Sequence, residues 1–237
     1  MNVAVIFAGG IGSRMSSATL PKQFLEIHGT PLIVHTIQHF QDHPDIDGVA
    51  VAILPEWRER FAQLVARYEL TKVKWIVDGG ATGQESRHRA IRAVADECPG
   101  DSVVLVHDGV RPLIDAQLIS DNIQTVRERG SAITCTKGNE TIVSASGEEI
   151  DEVLPRDFLY IAQAPQSLRL STALEIYDRA VAEGDDDSID TATLLRRFGH
   201  PLFRVPGPRS NIKITTAEDY YICRAFFDVI ERRQIGG

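Results

Sequence analysis

The sequence predicts an α/β fold with a largely parallel sheet, and three observations carry that prediction. Short β-branched runs alternate with amphipathic stretches of helical length. The first run, Val3-Ala4-Val5-Ile6-Phe7, feeds directly into glycines, as a strand-to-helix turn does. Polar clusters stand at the carboxyl ends of three runs, where open α/β sheets bind their ligands. A chain of 237 residues suits one domain with room for a substantial core.

Strands are expected over residues 3–7, 49–54, 73–77, 102–106 and 132–136, with a shorter one at 202–205. Helices are expected over 31–40, 56–68, 85–97, 116–129, 171–183, 190–198 and 217–233. Pro31 suits a first turn, Gly184 a position just past a helix end, and Thr216 an N-cap facing Asp219 three residues on. Residues 137–162 lack a helical period. They read as a β-hairpin arm leaving the main sheet, with limbs at 140–143 and 160–162 around Ser146-Gly147. An arm with apolar residues needs a cover, which favours a homodimer; the competing reading is a loop folded back on its own domain.

The formal net charge of −8 argues against a nucleic-acid partner, while leaving room for a local cationic pocket. No apolar run approaches a membrane span, and the N-terminal run lacks a signal-type flank. Cys98, Cys135 and Cys223 fit neither a zinc pattern nor a disulfide framework, so a cytoplasmic setting is expected.

The first polar cluster is residues 8–22. Ala8, Gly9, Gly10 and Gly12 offer a bare backbone, and Arg14 and Lys22 follow as fixed cations, which suits a nucleoside triphosphate. No G-K-[ST] follows, which excludes a Walker A loop. Gly10 and Gly12 have the G-x-G spacing of dinucleotide sites, but Met15 replaces the third glycine. A dehydrogenase, with Glu56 as its ribose acid, is therefore disfavoured. The plainest competitor is an ordinary turn with solvated cations.

The second cluster spans residues 78–86, and the third is His107-Asp108-Gly109-Val110-Arg111-Pro112. Asp108 has the chemistry to hold a sugar hydroxyl, or Mg²⁺ whose shell substrate phosphates complete; a turn-forming aspartate is the alternative. Arg111 suits a phosphate clamp against a surface ion pair, and His107 reads as structural. Lys213, between Ile212 and Ile214, points opposite to them in an extended segment; it either enters a polar site or is simply solvated. His35, His39 and His43 share a helix face, but the H-E-x-x-H glutamate is missing and Pro44 follows, so a metal site is disfavoured. Asp185-Asp186-Asp187 reads as a solvated acidic loop.

With these clusters assembled, nearly the whole chain resembles the sugar-phosphate cytidylyltransferases. The matching stretches are A-G-G-I-G-S-R-M at 8–15, P-K-Q-F-L at 21–25, G-G-x-x-x-x-x-S at 79–86, V-H-D-G-V-R-P at 106–112, A-P-Q-S at 164–167 and N-I-K-I-T-T-x-E-D at 211–219. The resemblance implies a Rossmann-like nucleotidyltransferase fold with a protruding dimerisation arm, Mg²⁺ as cofactor, and transfer of CMP from CTP to a linear polyol phosphate. It implies that Arg14, Lys22 and Lys213 are catalytic. Ala8, Gly9, Gly10, Gly12, Gly80, Ala81, Ser86 and Gly109 would surround the nucleotide. Asp108, Arg111 and Gln166 would meet the acceptor, with Asp108 also the metal ligand, and Thr141 and Arg156 would complete the partner's acceptor site.

Two branches compete. H-D-G-V-R-P and Ala164 favour D-ribitol 5-phosphate as acceptor, giving CDP-ribitol, over the 2-C-methyl-D-erythritol 4-phosphate branch with its H-D-A-A-R-P and T-P-Q. Gly83 stands where both branches usually carry Arg, and Arg87 and Arg89 are the candidates to compensate. A reading of another class is a nucleotide-binding regulator without turnover, against which Arg14, Lys22 and Lys213 count.

Overall fold

The computed structural model describes residues 1–8, 20–186 and 188–235, with side chains as far as Arg232. The chain begins with β1 (Asn2–Ala8), a short ladder of β2 (Glu26–Ile27) and β3 (Thr30–Pro31), and α1 (Leu32–Asp42). There follow β4 (Gly48–Ile53), α2 (Arg58–Arg67), β5 (Val73–Asp78), α3 (Gly83–Ala95), β6 (Val103–Asp108), α4 (Ala116–Arg129) and β7 (Ser131–Lys137). A hairpin of β8 (Val143–Ala145) and β9 (Ile150–Val153) precedes β10 (Tyr160–Arg169), α5 (Leu170–Ala182), α6 (Thr191–Arg197), β11 (Arg204–Pro206) and α7 (Ala217–Ile235).

Seven strands form one sheet in the order β11-β7-β10-β6-β1-β4-β5. The β1–β4, β1–β6, β4–β5 and β7–β11 pairs are parallel, and β10 runs antiparallel to both β6 and β7. Alternation along each strand feeds two cores. On β1, Ala4, Ile6 and Ala8 face the side covered by α1, α2 and α4, while Val3 and Val5 face α3, α5 and α6. The C-terminal helix α7 packs Cys223 and Phe227 against Ile27, Leu32, Leu113 and Ile214.

The expected elements are present, with informative differences. The helix expected from Pro31 starts at Leu32, because Pro31 is extended and pairs with Glu26. The one expected over 56–68 opens as a 3-10 turn, Pro55–Trp57, before α2. The strand expected at 102–106 continues to Asp108, taking His107 and Asp108 into the sheet.

The main correction concerns the arm. Its hairpin pairs β8 with β9, and 160–162 is the start of β10 in the main sheet rather than a limb of the arm. Gln163, Pro165 and Gln166 hid that central strand, since polar residues and a proline argue against one. Its register shifts between Ala162 and Gln166, so Pro165, which has no N–H to give, sits at the irregularity. The β8–β9 hairpin is exposed along its whole length.

Candidate active site

The strand order places a crevice. From β1 the chain steps to β4 and β5 on one side, then returns to lay β6 on the other, so the segments that leave the carboxyl ends of β1 and β6 run to opposite sides and open a crevice between them. Phe7 pairs with Asp108 across that point. The strands close up there because Gly109 has no side chain: a Cβ would stand 3.1 Å from the Ala8 Cβ. Its N–H donates to the Phe7 carbonyl at 3.1 Å, and its carbonyl accepts from Thr36 Oγ1.

Asp108 lies between two cations. Its Oδ1 is 2.6 Å from Lys213 Nζ, and its Oδ2 accepts from Arg111 Nε at 2.7 Å. Burial opposes the charge, but the Lys213 ammonium and Arg111 guanidinium outweigh it and hold the carboxyl well below the usual carboxylate range. Arg111 also donates to the Asn211 carbonyl at 2.8 Å. Asn211, fully buried, donates through Nδ2 to the Ala164 carbonyl at 2.6 Å and so pins the segment that carries Lys213.

Lys22 approaches from a separate loop, where its Nζ donates to the Thr215 carbonyl at 2.8 Å. Gln23 ties that loop to β1 by donating to the Ala8 carbonyl at 2.6 Å. Thr215 and Thr216 are fixed in turn by Asp219, whose Oδ2 accepts both backbone N–H groups, while Thr216 Oγ1 accepts the Asp219 N–H: the expected N-cap of α7. Ala8, Lys22, Asp108, Lys213 and Thr215 thus line one cavity of about 130 Å³. A second, of about 230 Å³, shares Phe7, Asp108, Arg111 and Lys213 and extends to Arg87, Gln166 and Asp190. A third, of about 450 Å³, joins Arg111 and Lys213 to Lys137 and Arg209 at the root of the arm. A buried carboxylate that fixes two cations, with a third close by, is suited to polyanionic substrates at a reacting phosphorus.

A family profile described as 2-C-methyl-D-erythritol 4-phosphate cytidylyltransferase (IspD) matches residues 2–228. The chain belongs to the IspD family of cytidylyltransferases. Among its relatives, ribitol-5-phosphate cytidylyltransferase of Streptococcus agalactiae serotype Ia is 47% identical over 238 residues, covering 100% of both chains. 2-C-methyl-D-erythritol 4-phosphate cytidylyltransferase of Geobacillus kaustophilus is 35% identical over 222 residues, covering 94% of this chain and 95% of the relative. The crystal structure of 4-diphosphocytidyl-2C-methyl-D-erythritol synthase from Anaerococcus prevotii superposes with a TM-score of 0.81 at 24% identity, covering 96% of each chain. That superposition shares the Rossmann-like architecture described above.

Within this IspD-family frame, Lys22, Asp108, Arg111 and Lys213 converge as the sequence leads one to expect. Gly9, Gly10, Gly12 and Arg14 lie outside the described residues. The 79–86 loop differs from expectation. The Gly80 N–H donates to Ser86 Oγ at 3.0 Å and the Ala81 N–H to Glu85 Oε2 at 2.7 Å, so neither amide points freely at a nucleotide. Ser86 is buried and donates to the Thr82 carbonyl; its hydroxyl shapes the loop and keeps one acceptor position. Helix α3 starts here with Thr82 as N-cap, and folding its first turn back over the loop uses those donors.

Gln166 lines the 230 Å³ cavity, yet its amide is engaged at both ends, donating to Asp190 Oδ2 and accepting from the Ala192 N–H; it positions α6 rather than a substrate. Gly109 serves close packing, as described. Thr141 and Arg156 are exposed on the arm and line none of these three cavities, and Arg156 donates to the Asn139 carbonyl at 3.3 Å. The acidic loop is anchored rather than merely solvated: Thr82 and Gln84 donate to the carbonyls of Asp186 and Asp185, and Arg197 pairs with the Asp185 carboxylate; Asp187 lies outside the described residues. His35, His39 and His43 each engage a backbone carbonyl, of Ile27, Pro112 and Ala116 respectively. Asn211 and Arg209 were given no role by sequence reasoning, because their value lies in carbonyls and a cavity that the fold brings from far along the chain.

Proposed function

We propose that this chain transfers CMP from CTP to the phosphate of D-ribitol 5-phosphate, forming CDP-ribitol and pyrophosphate. The observation that carries the reaction class is the Asp108–Lys213–Arg111 cluster at the β1/β6 switch point. The full-length relative at 47% identity, named for ribitol 5-phosphate, supports the acceptor. An acceptor phosphate oxygen attacks the α-phosphorus of CTP and forms the new P–O bond. The bond to the β-phosphate oxygen breaks, and pyrophosphate leaves with its electron pair.

Negative charge grows on the phosphoryl oxygens during this step, so fixed cations act chiefly by position. Lys213 is partly exposed and can turn its ammonium from Asp108 to a phosphate oxygen, while Arg111, half held by the Asn211 carbonyl, keeps its place. Lys22 faces the same space from the Thr215 side. Asp108 positions both of its cations. The donor set fits Mg²⁺ delivered with the triphosphate: Asp108 supplies one carboxylate, each oxygen keeps a second lone pair, and phosphates complete the shell. When bound, that ion would neutralise charge on the triphosphate.

The arm supports a homodimer, because its apolar residues Val153 and Phe158 are 63% and 83% exposed. In that assembly Thr141 and Arg156, exposed on the same arm, serve the partner's acceptor site. The deciding experiment is steady-state pyrophosphate release from CTP with each acceptor. D-ribitol 5-phosphate is expected to give a kcat/KM about tenfold or more above that of 2-C-methyl-D-erythritol 4-phosphate. The opposite order reassigns the acceptor, and tight CTP binding without pyrophosphate from either makes the chain a regulator.

A further inference from the structure

Arg87 is the least conventional side chain in the cleft. It sits one turn into α3 and is 3% exposed, yet it pairs with no carboxylate among the described residues. Its Nε donates to Tyr177 Oη at 2.9 Å, its Nη2 donates to the Ser188 carbonyl at 2.8 Å, and its guanidinium lies 5.0 Å from the centre of the Phe7 ring. Among the described residues, Nη1 makes no hydrogen bond. It lies beside Gly83, where a Cβ would make ordinary contact with it at 3.6 Å. Buried guanidinium groups are ordinarily paired, and an unspent donor on one needs an explanation.

The surroundings supply it. Arg87 lines the 230 Å³ cavity that also holds Asp108, Arg111 and Lys213, and the same Phe7 ring lies 5.8 Å from Lys213 Nζ. The phosphate-binding charges are already in place at Asp108. What the cavity adds is a donor, Arg87, beside Asp190, whose Oδ1 caps α6 by accepting from the Thr193 N–H and hydroxyl and whose Oδ2 keeps one lone pair beyond the Gln166 bond. Hydroxyl groups both accept and donate, so a polyhydroxylated chain satisfies the two together. Ala8 and Lys22 line the adjoining cavity, which shares Phe7, Asp108 and Lys213 with this one but does not reach Arg87. We propose that Arg87 is an acceptor-binding residue that reads the hydroxyl chain of the polyol phosphate through Nη1; this rests on the functional reading above.

The test compares wild type with Arg87→Met and Arg87→Lys, using D-ribitol 5-phosphate and the shorter glycerol 3-phosphate as acceptors. Arg87→Met is expected to lower kcat/KM for ribitol 5-phosphate by about 10- to 100-fold, mainly through KM, with the CTP KM nearly unchanged. The preference for ribitol 5-phosphate over glycerol 3-phosphate should shrink by a similar factor, and Arg87→Lys should recover part of it. Should Arg87→Met fail to fold, Arg87→Lys keeps the buried charge and is read the same way. An unchanged acceptor KM, a CTP KM that rises equally, or a loss of thermal stability alone overturns the role of Arg87. A wild-type enzyme that does not turn over ribitol 5-phosphate overturns the functional reading instead.

Discussion

Lys22 and Lys213 reach one cavity by unlike routes. Lys213 is held by the Asp108 carboxylate at 2.6 Å, and Lys22 by the neutral Thr215 carbonyl at 2.8 Å. Removing Lys213 strips one of the two cations that hold the buried Asp108 carboxylate, so its loss mixes structural and chemical costs. Removing Lys22 leaves the carboxylate pair intact and is the cleaner probe. Lys22→Ala should lower kcat by about 10²- to 10³-fold while the melting temperature stays close to wild type. Steady-state kinetics beside thermal unfolding checks this, and near wild-type turnover would remove Lys22 from the chemistry.

At the scale of elements, β6 delivers Asp108 by burying the residue before it. His107 lies under α1, with the Phe40 ring 5.4 Å away and edge-on, and its Nε2–H donates to the Arg111 carbonyl at 3.0 Å. Burial pushes the His107 pKa down to about 4, against the opposing pull of the Arg111 carbonyl and the Asp108 charge. The folded state therefore keeps the imidazole neutral, while the unfolded chain protonates near pH 6.5. That contribution is complete above pH 6.5 and is lost as the pH falls toward 4, which amounts to about 3 kcal/mol. Urea unfolding across this window should show a steeper loss for wild type than for His107→Leu. Parallel slopes would mean that His107 titrates normally.

For the whole molecule, the exposed hairpin and the arm residues Thr141 and Arg156 bear on assembly. If Arg156 serves the neighbouring subunit, Lys22→Ala and Arg156→Ala chains, each inactive alone, should regain activity when mixed. A mixed dimer places intact Lys22 and intact Arg156 in one of its two sites. Phe158→Glu should shift sedimentation to the monomer and abolish that recovery. Mixtures that stay inactive while forming mixed dimers would place Arg156 in its own chain's site.

The strands, the helices and the three strand-end clusters were legible because each is written locally. Unbroken apolar runs, as expected of strands buried on both faces, mark β1 and β4, Thr82 and Asp115 cap α3 and α4, and Gly130 closes α4 in a left-handed conformation. The convergence of Lys22, Asp108, Arg111 and Lys213 was legible only through the family resemblance, since Lys22 and Lys213 lie on connecting segments that local periodicity does not place. Strand β10 was not legible, because Gln163, Pro165 and Gln166 are tolerated in a sheet centre only where a register irregularity and buried partners receive them. The 79–86 loop misled because a glycine-rich stretch advertises free amides, whereas the first turn of α3 spends them on Ser86 and Glu85. The sequence alone thus determined the fold class and the cytidylyltransferase family. Only the tertiary structure decided which donors stay unspent, Arg87 above all, since a hydrogen bond's availability depends on partners about 90 to 100 residues away.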